Sequence, residues 1–153
     1  MPTAWRIVKT KHVRGAFDGI GARRYGGRWN SVGVPVVYVS GSISLALLEV
    51  LVHAEDSGIL PAYSIFEVNI PPHLVTAVDR AHLPTNWYET PSPPTLTALG
   101  DVWVADQASA ALEVPSVIVH AESNYLLNPN HPDFASIVIG TARPFPFDER
   151  LVR

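Results

Sequence analysis

The sequence predicts a single α+β domain in which strands outnumber helices. Its 153 residues, 47% of them hydrophobic, match the usual size of one globular domain and can fill one core. Short stretches rich in β-branched residues recur along the chain, which is typical of strands. Only two longer segments space their apolar residues three and four apart, as a helix does. We therefore treat residues 1–153 as one domain.

The first forty residues predict two strands separated by a loop. Residues 4–10 and residues 34–40 are short and rich in β-branched side chains, which favours strands. Between them, residues 21–31 hold three glycines and three arginines. So much glycine argues against a helix and predicts a loop that leads into a short strand around residues 28–30.

A helix is predicted to begin after Ser42, a suitable N-cap, and to end near Gly58. Its apolar residues surround Glu49, so the helix should be largely buried and the carboxylate needs a cation or hydrogen-bond donors. The arginines of residues 21–31 could supply the cation, and His53 is a local competitor. A purely structural ion pair is the alternative interpretation. The helical spacing is carried by Ile43, Ala46, Leu47, Val50, Leu51 and Ala54.

The second half of the chain also predicts more strands than helices. Residues 95–108 carry apolar side chains at helical spacing, with Thr95 as the candidate cap. A proline-rich surface loop with exposed Trp87 and Tyr88 is predicted for residues 84–94. The other segments predict strands at 61–70, 74–79, 111–120, 136–140 and 144–152, the last an edge strand, and a turn-rich loop at 124–134.

Composition argues against several functional classes. The net charge of −3 and the pI near 6.0 give no general attraction for nucleic acid, so any anion site must be local. The chain has no cysteine and its six histidines are scattered, which predicts no metal site. No signal sequence or membrane-spanning run is recognisable, so we expect a soluble, cytoplasmic protein without membrane association. A mean hydropathy of +0.15 favours an apolar surface that a partner covers.

The arginine-rich segment predicts a local anion site. Glycines let a backbone approach a ligand closely, and guanidinium groups bind phosphate oxygens through paired hydrogen bonds. Arg23, Arg24 and Arg28 therefore suit phosphate, although no Walker or dinucleotide-binding motif is present. A solvated loop without function is the alternative. Tyr38 offers an aromatic face at the end of a predicted strand, and Ser116 by itself is typical of a local hydrogen-bonding residue.

Five motifs follow one another along nearly the whole chain: GARRYGGRWNS, VVYVSGSISLALLEVLVH, GDVWVA, VPSVIV and NYLLNPNHPDF. In this order they resemble the RES domain, the toxin of a bacterial toxin–antitoxin system. That family is named after an arginine, a glutamate and a serine, which fall here on Arg28, Glu49 and Ser116. One departure is that His120 and Ala121 follow the fourth motif, where many relatives carry proline.

The resemblance implies a fold related to ADP-ribosyltransferases, with a central, mostly antiparallel, twisted sheet flanked by helices. It also implies a toxin that depletes NAD+ by hydrolysis or phosphorolysis of the nicotinamide–ribose bond. NAD+ is then the substrate, and no separate cofactor is expected. The residues implied are Arg28, Tyr38, Glu49 and Ser116 as catalytic residues, and Arg24, Gly27 and Asn30 as substrate-binding residues.

These residues suggest a mechanism based on electrostatic positioning. Arg28 and Arg24 hold the phosphates, and Tyr38 stacks on nicotinamide. Glu49 orients the ribose hydroxyls and stabilises an oxocarbenium-like transition state. Ser116 hydrogen-bonds a ribose or fixes an arginine.

Two other functions stay open on the residues alone: transfer of ADP-ribose to a protein, and non-catalytic binding of phosphate or RNA. The partner implied by the resemblance is a helical Xre-type antitoxin that blocks the active-site cleft, and no direct contact with nucleic acid is expected. Water, inorganic phosphate and protein remain candidate acceptors. The sequence also leaves open whether the free protein forms a homodimer.

Overall fold

A computed structural model describes residues 2–54 and 61–152 and folds them around one eight-stranded sheet. Strands outnumber α-helices, which confirms the predicted α+β class. The strands are β1 (Thr3–Lys9), β2 (Val37–Ser40), β3 (Tyr63–Asn69), β4 (Val75–Ala77), β5 (Ala111–Pro115), β6 (Ser123–Leu127), β7 (Val138–Ile139) and β8 (Arg143–Phe145). The α-helices are α1 (Ile20–Tyr25), α2 (Ile43–His53) and α3 (Pro94–Ala105).

The sheet is mostly antiparallel and opens between two of its central strands. Its order is β4–β5–β6–β2–β1–β3–β7, with β8 also paired to β3, and only β4 and β5 run parallel. Strands β1 and β2 share a single residue pair, Trp5 with Ser40. At the next residue of β1, Arg6 donates a side-chain hydrogen bond of 2.9 Å to the carbonyl oxygen of Tyr38. Where the sheet opens, the hydrogen bond from the Arg6 guanidinium therefore replaces the backbone hydrogen bonds that would otherwise join the two strands.

Apolar clusters cover both faces of the sheet. On one face, alternate residues of β2 and β6, such as Val37 and Leu127, pack in a shared cluster. On the other face, Leu126 packs in a cluster that includes residues of α3, and Ile7 packs in a cluster that includes Ala46 of α2. Because strand residues alternate between faces, α2 and α3 lie on the same side of the sheet.

Helix α2 begins as predicted but is more exposed than predicted. The Ser42 hydroxyl oxygen accepts a hydrogen bond of 3.1 Å from the backbone N–H of Leu45, as an N-cap does. Of the helix residues, Leu45 and Ala46 are buried, whereas Val52 is 59% exposed. The prediction of a largely buried helix is therefore wrong, and its predicted end at Gly58 lies outside the described residues.

The glycine-rich segment contains a helix where a loop was predicted. Glycines stand at both ends of α1 rather than breaking it: Gly19 has φ 75° at the N-cap and Gly26 has φ 72° at the C-cap. Both angles are in the left-handed region that favours glycine. The predicted strand around residues 28–30 is a tight turn, closed by one isolated bridge between Gly27 and Asn30.

Five predictions for the second half of the chain also need correction. The strand predicted for residues 111–120 ends at Pro115. The loop predicted for residues 124–134 begins with most of β6. Thr95 lies inside α3, whose first residue is Pro94 and whose N-cap is Pro93. Trp87 is half-buried rather than exposed, and the strand predicted for 144–152 is limited to β8.

Candidate active site

A broad cleft of about 1970 Å³ opens where β1 and β2 separate. Arg28, Tyr38 and Glu49 all line it, so the structure brings together three of the predicted site residues. Arg6 and Asn124 line it as well, and neither was predicted from the sequence. Pockets for small ligands usually enclose roughly 300–1000 Å³, so this cleft has room for an extended ligand.

The turn that carries Arg28 packs directly onto Tyr38 at Gly27. A Cβ atom added at Gly27 would lie 2.8 Å from the Tyr38 hydroxyl oxygen and 2.8 Å from Asn30 Oδ1. Real Cβ atoms essentially never approach so closely. Glycine is therefore required here by the close approach of the turn to the strand.

Arg28 is anchored to the loop that precedes α3, and part of its guanidinium stays unused. Its Nη1 donates to the carbonyl oxygens of Trp87 (3.2 Å) and Glu89 (2.8 Å), and its Nη2 donates to Thr90 Oγ1 (3.2 Å). A guanidinium has five N–H donors. Within the described residues, this leaves the Nε–H and one Nη2–H of Arg28 as donors for an anion such as a phosphate or a carboxylate.

The charge of Arg28 is coupled to the other cleft residues. Desolvation by burial lowers the pKa of Arg28, while the negative charge of Glu49 acts in the opposite direction. Both side chains line the same cleft, and the Glu49 carboxylate favours the charged form of Arg28. Within the described residues Glu49 forms no ion pair with an arginine or with His53, so the predicted cation partner is wrong, and its side-chain partner is instead Asn124.

Tyr38 joins the cleft to the turn through its hydroxyl group. The hydroxyl donates a hydrogen bond of 2.6 Å to Asn30 Oδ1 and accepts one of 3.2 Å from the backbone N–H of Trp29. Burial raises the pKa of Tyr38 well above its ordinary value, so the phenol stays neutral. Tyr38 lines the cleft while its hydroxyl fixes the residues next to Arg28.

Asn30 supports the turn from inside the protein. The residue is only 1% exposed, and its Nδ2 donates to the carbonyl oxygens of Ala22 (2.9 Å) and Val34 (3.0 Å). Its Oδ1 accepts from Tyr38. The structure therefore places Asn30 beneath the cleft as a support for the Arg28 turn, not at the surface where a substrate-binding residue was predicted.

Replacing Tyr38 with Phe is expected to lower the free energy of unfolding by about 1–3 kcal/mol, because the Trp29 N–H and Asn30 Oδ1 lose their shared partner in a buried site. Urea unfolding of both proteins measures this loss. Tyr125→Phe is the matched control, since the Tyr125 hydroxyl makes one longer bond of 3.2 Å, to Glu113 Oε1. Equal losses in the two variants would contradict the anchoring role of Tyr38.

Glu49 is half-buried on α2 and is oriented by Asn124 of β6. Its Oε1 accepts a hydrogen bond of 2.9 Å from Asn124 Nδ2. Asn124 stands opposite Ser40 on the neighbouring strand, so it approaches Glu49 from the floor of the cleft. The sequence does hint at Asn124, because it is a polar residue directly before the apolar residues of the segment NYLL. The hint was missed because residues 124–134 were interpreted as a loop.

Helix α3 holds the Arg28 turn from behind through the GDVWVA motif. Gly100 packs against the backbone of Trp29, so closely that a Cβ atom there would lie 1.7 Å from the Trp29 carbonyl oxygen. The next residue, Asp101, accepts hydrogen bonds from the backbone N–H (2.9 Å) and the hydroxyl (2.5 Å) of Ser31. The helix therefore fixes the residues that directly follow Arg28.

The arginine that accompanies Arg28 in the cleft is Arg6, not Arg24. Arg23 and Arg24 are exposed on α1 and do not line the cleft, whereas Arg6 does. Arg6 Nε donates a bond of 2.7 Å to the carbonyl oxygen of Ala16. Burial lowers the pKa of Arg6 to about 10, against the opposing effect of Asp18, so the side chain remains cationic at neutral pH. The sequence did not reveal this role of Arg6, because a single arginine within a predicted strand is an ordinary polar position.

Ser116 is buried below the cleft surface. It is 0% exposed, and its Oγ accepts hydrogen bonds of 3.1 Å from the backbone N–H groups of both Ile118 and Val119. Among the described residues it forms no hydrogen bond with an arginine. The structure therefore assigns Ser116 to the support of the turn that follows β5, and does not bring it to the cleft.

Two further features concern the described residues as a whole. In residues 2–54 and 61–152, no group of three or more histidine and acidic side chains could hold a metal ion. In this same part of the chain, none of the helices has the length and apolar character needed to span a membrane.

The fold and the cleft define an α+β protein that gathers an arginine, a tyrosine and a glutamate around one open site. Residues 3–148 match the family model described as the RES domain. The chain therefore belongs to the RES domain family, as its five motifs predicted.

Relatives of similar length carry toxin names. The chain is 40% identical over 151 residues to "Toxin Res" of Photorhabdus laumondii, with 97% of this chain and 96% of the relative covered. It is 38% identical over 149 residues to "Toxin Res" of Yersinia enterocolitica, with 96% and 97% covered. It is 37% identical over 154 residues to the "Prs ADP-ribosylating toxin" of a Sphingobium species, with 97% and 96% covered. The chain is accordingly classed with the toxins of this family.

A solved structure shares the fold. The toxin–antitoxin complex MbcT–MbcA of M. tuberculosis contains a chain that aligns with a TM-score of 0.72 at 18% sequence identity, covering 94% of this chain and 83% of that one. At this identity the likeness concerns the fold alone. It shows that the strands and helices described above form a fold that is also found in that complex.

Proposed function

We propose that this toxin depletes NAD+ by cleaving the bond between nicotinamide and ribose. The observation that carries the proposal is that Arg28, with two N–H groups left over, lines one cleft with Tyr38 and the carboxylate of Glu49. NAD+ has a pyrophosphate at its centre and a cationic ring at one end. A site for it therefore needs a cation and an anion within one cleft, together with an aromatic surface.

In the proposed mechanism, each cleft residue acts on a different part of NAD+. The remaining N–H groups of Arg28 bind the pyrophosphate, and the Tyr38 ring contacts nicotinamide. Glu49, oriented by Asn124 through Oε1, uses its other oxygen to hold the ribose hydroxyls and to stabilise positive charge as it develops on the sugar. Arg6 keeps the sheet open beneath this site by bonding the Tyr38 carbonyl.

The bond-breaking step needs no general acid. The glycosidic C–N bond breaks with its electron pair moving to the nicotinamide nitrogen, which turns the pyridinium into neutral nicotinamide. Water then attacks the sugar carbon and loses a proton to give ADP-ribose, or inorganic phosphate attacks to give ADP-ribose 1″-phosphate. Catalysis therefore comes from positioning and charge stabilisation.

Transfer of ADP-ribose to a protein is the second candidate function. It is favoured by the name of the 37% identical Sphingobium relative, which is described as an ADP-ribosylating toxin. The same cleft would break the same bond, with a protein side chain in place of water. Non-catalytic binding of phosphate or RNA, the third candidate, predicts no change in NAD+ at all.

An antitoxin partner at the cleft is part of the proposal, and we expect it to be of the Xre type. MbcT was solved together with its antitoxin MbcA. In this chain, several large apolar side chains that line the cleft are exposed to solvent: Tyr25, Val52, Tyr88 and Leu151. Apolar groups exposed around one cleft are typical of a surface that a protein partner covers.

Incubation with NAD+ labelled in its adenylate half tests the proposal. We expect nicotinamide and labelled ADP-ribose in phosphate-free buffer, and labelled ADP-ribose 1″-phosphate on addition of phosphate if phosphate is the acceptor, each identified by mass. Label retained on protein after addition of a cell extract would support transfer instead. NAD+ that stays intact under all three conditions would contradict both enzymatic functions.

A further inference from the structure

An aromatic cluster that the proposed mechanism does not use stands at the cleft. Trp87 and Tyr88 come from the loop before α3, and His120 comes from the turn after β5. The ring centroids of His120 lie 4.9 Å from Trp87 and 5.6 Å from Tyr88, and those of Trp87 and Tyr88 are 6.0 Å apart. Only Tyr88 of the three lines the cleft, and it is 49% exposed. Tyr88 therefore presents an aromatic surface that its neighbours support from behind.

The position of this cluster is tied to Arg28. Arg28 donates to the carbonyl oxygens of Trp87 and Glu89, the two residues on either side of Tyr88. The backbone of His120, on the other side of the cluster, is also fixed, because Arg80 Nη1 donates a hydrogen bond of 2.7 Å to the carbonyl oxygen of His120. The Tyr88 backbone is thus held beside the guanidinium, within reach of whatever Arg28 binds.

We propose that Tyr88, backed by Trp87 and His120, is the platform on which the adenine ring of the bound nucleotide stacks. This inference rests on the proposed function, in which Arg28 binds the pyrophosphate. Arg28 hydrogen-bonds the loop that carries Tyr88, and it lines the same cleft as Glu49. A dinucleotide centred on Arg28 with nicotinamide at Glu49 therefore directs its adenylate half towards Tyr88.

The chemistry of the cluster favours a planar base over an aliphatic group. An exposed aromatic ring offers a flat π surface, and base–aromatic stacking is a common source of nucleotide affinity. The adjacent guanidinium binds the phosphate on the same nucleotide. The expected ligand of this subsite is thus a purine nucleoside 5′-phosphate, held at the base by Tyr88 and at the phosphate by Arg28.

Binding of AMP and ribose 5-phosphate, which differ by the base, isolates the stacking contribution. We expect wild-type protein to bind AMP about ten-fold more tightly than ribose 5-phosphate, within the range reported for base stacking. Tyr88→Ala should remove this preference and leave ribose 5-phosphate binding unchanged. Tyr25→Ala is the matched control, because the Tyr25 ring also lines the cleft and is 77% exposed but stands on α1. Calorimetric titration of the three proteins provides the measurement.

Turnover of NAD+ and nicotinamide mononucleotide adds a kinetic test. Tyr88→Ala should raise KM for NAD+ about ten-fold and leave KM for the mononucleotide unchanged, since the mononucleotide lacks the adenylate half. An AMP preference that survives in Tyr88→Ala, or that disappears in Tyr25→Ala, would overturn the platform. If AMP binding depends on Tyr88 but NAD+ is not consumed, the platform stands and the proposed function fails.

Discussion

Replacing Glu49 with Gln is expected to slow NAD+ cleavage by about 10²- to 10³-fold, the usual cost of removing one group that stabilises transition-state charge. Gln has nearly the same shape, and its amide oxygen can still accept the bond from Asn124. What is lost is the negative charge opposite the developing sugar cation. KM for NAD+ should rise much less than kcat falls, because Arg28 and the aromatic residues still bind the substrate. Steady-state kinetics of nicotinamide release measure both constants.

Glu122→Gln is the matched control for this experiment. Glu122 also accepts one side-chain hydrogen bond, of 2.8 Å, from the Ser42 hydroxyl at the start of α2, but it does not line the cleft. Its substitution should leave kcat within about two-fold of the unmodified protein, because Glu122 lies outside the cleft. Thermal unfolding of both variants shows whether the fold is intact. A Glu49→Gln protein that cleaves NAD+ at the normal rate would mean that Glu49 has no part in catalysis.

The elements that the sequence predicted best are those with a clear composition or apolar spacing. Strand β1 was recognised from its β-branched residues and helix α2 from its apolar residues at helical spacing, and Ser42 caps α2 as predicted. Helix α1 was missed because its glycines were interpreted as breakers. In the structure Gly19 and Gly26 terminate the helix through positive φ angles, which a composition-based argument does not distinguish from disruption.

The structure brings into one cleft the predicted residues that were anomalous in their own segments. Arg28 and Glu49 differ sharply from their glycine-rich and apolar surroundings, and both line the cleft. Arg6 and Asn124 were missed because each looks like an ordinary polar position, and only the opening of the sheet gives them a role. Ser116 was selected through the family resemblance, and the structure instead gives it backbone partners in a buried turn.

Replacing Gly100 with Ala is expected to have the largest effect on stability. The added Cβ would lie 1.7 Å from the carbonyl oxygen of Trp29 and 2.8 Å from its carbonyl carbon. These are backbone atoms of a residue whose side chain is itself buried, so α3 must shift away. Overpacking of this kind costs about 3 kcal/mol or more. For a domain of this size, that cost corresponds to a fall in Tm of roughly 6–12 °C.

A shift of α3 also affects the cleft, because Asp101 would move away from Ser31 and release the turn that carries Arg28. We therefore expect Gly100→Ala to lose NAD+ affinity along with stability. Gly21→Ala is the matched control: Gly21 lies within α1 with nothing within 4 Å of an added Cβ, so helix propensity should stabilise this variant by up to about 1 kcal/mol. Equal Tm values for the two variants, measured by thermal unfolding, would mean that α3 does not pack on Trp29 as described.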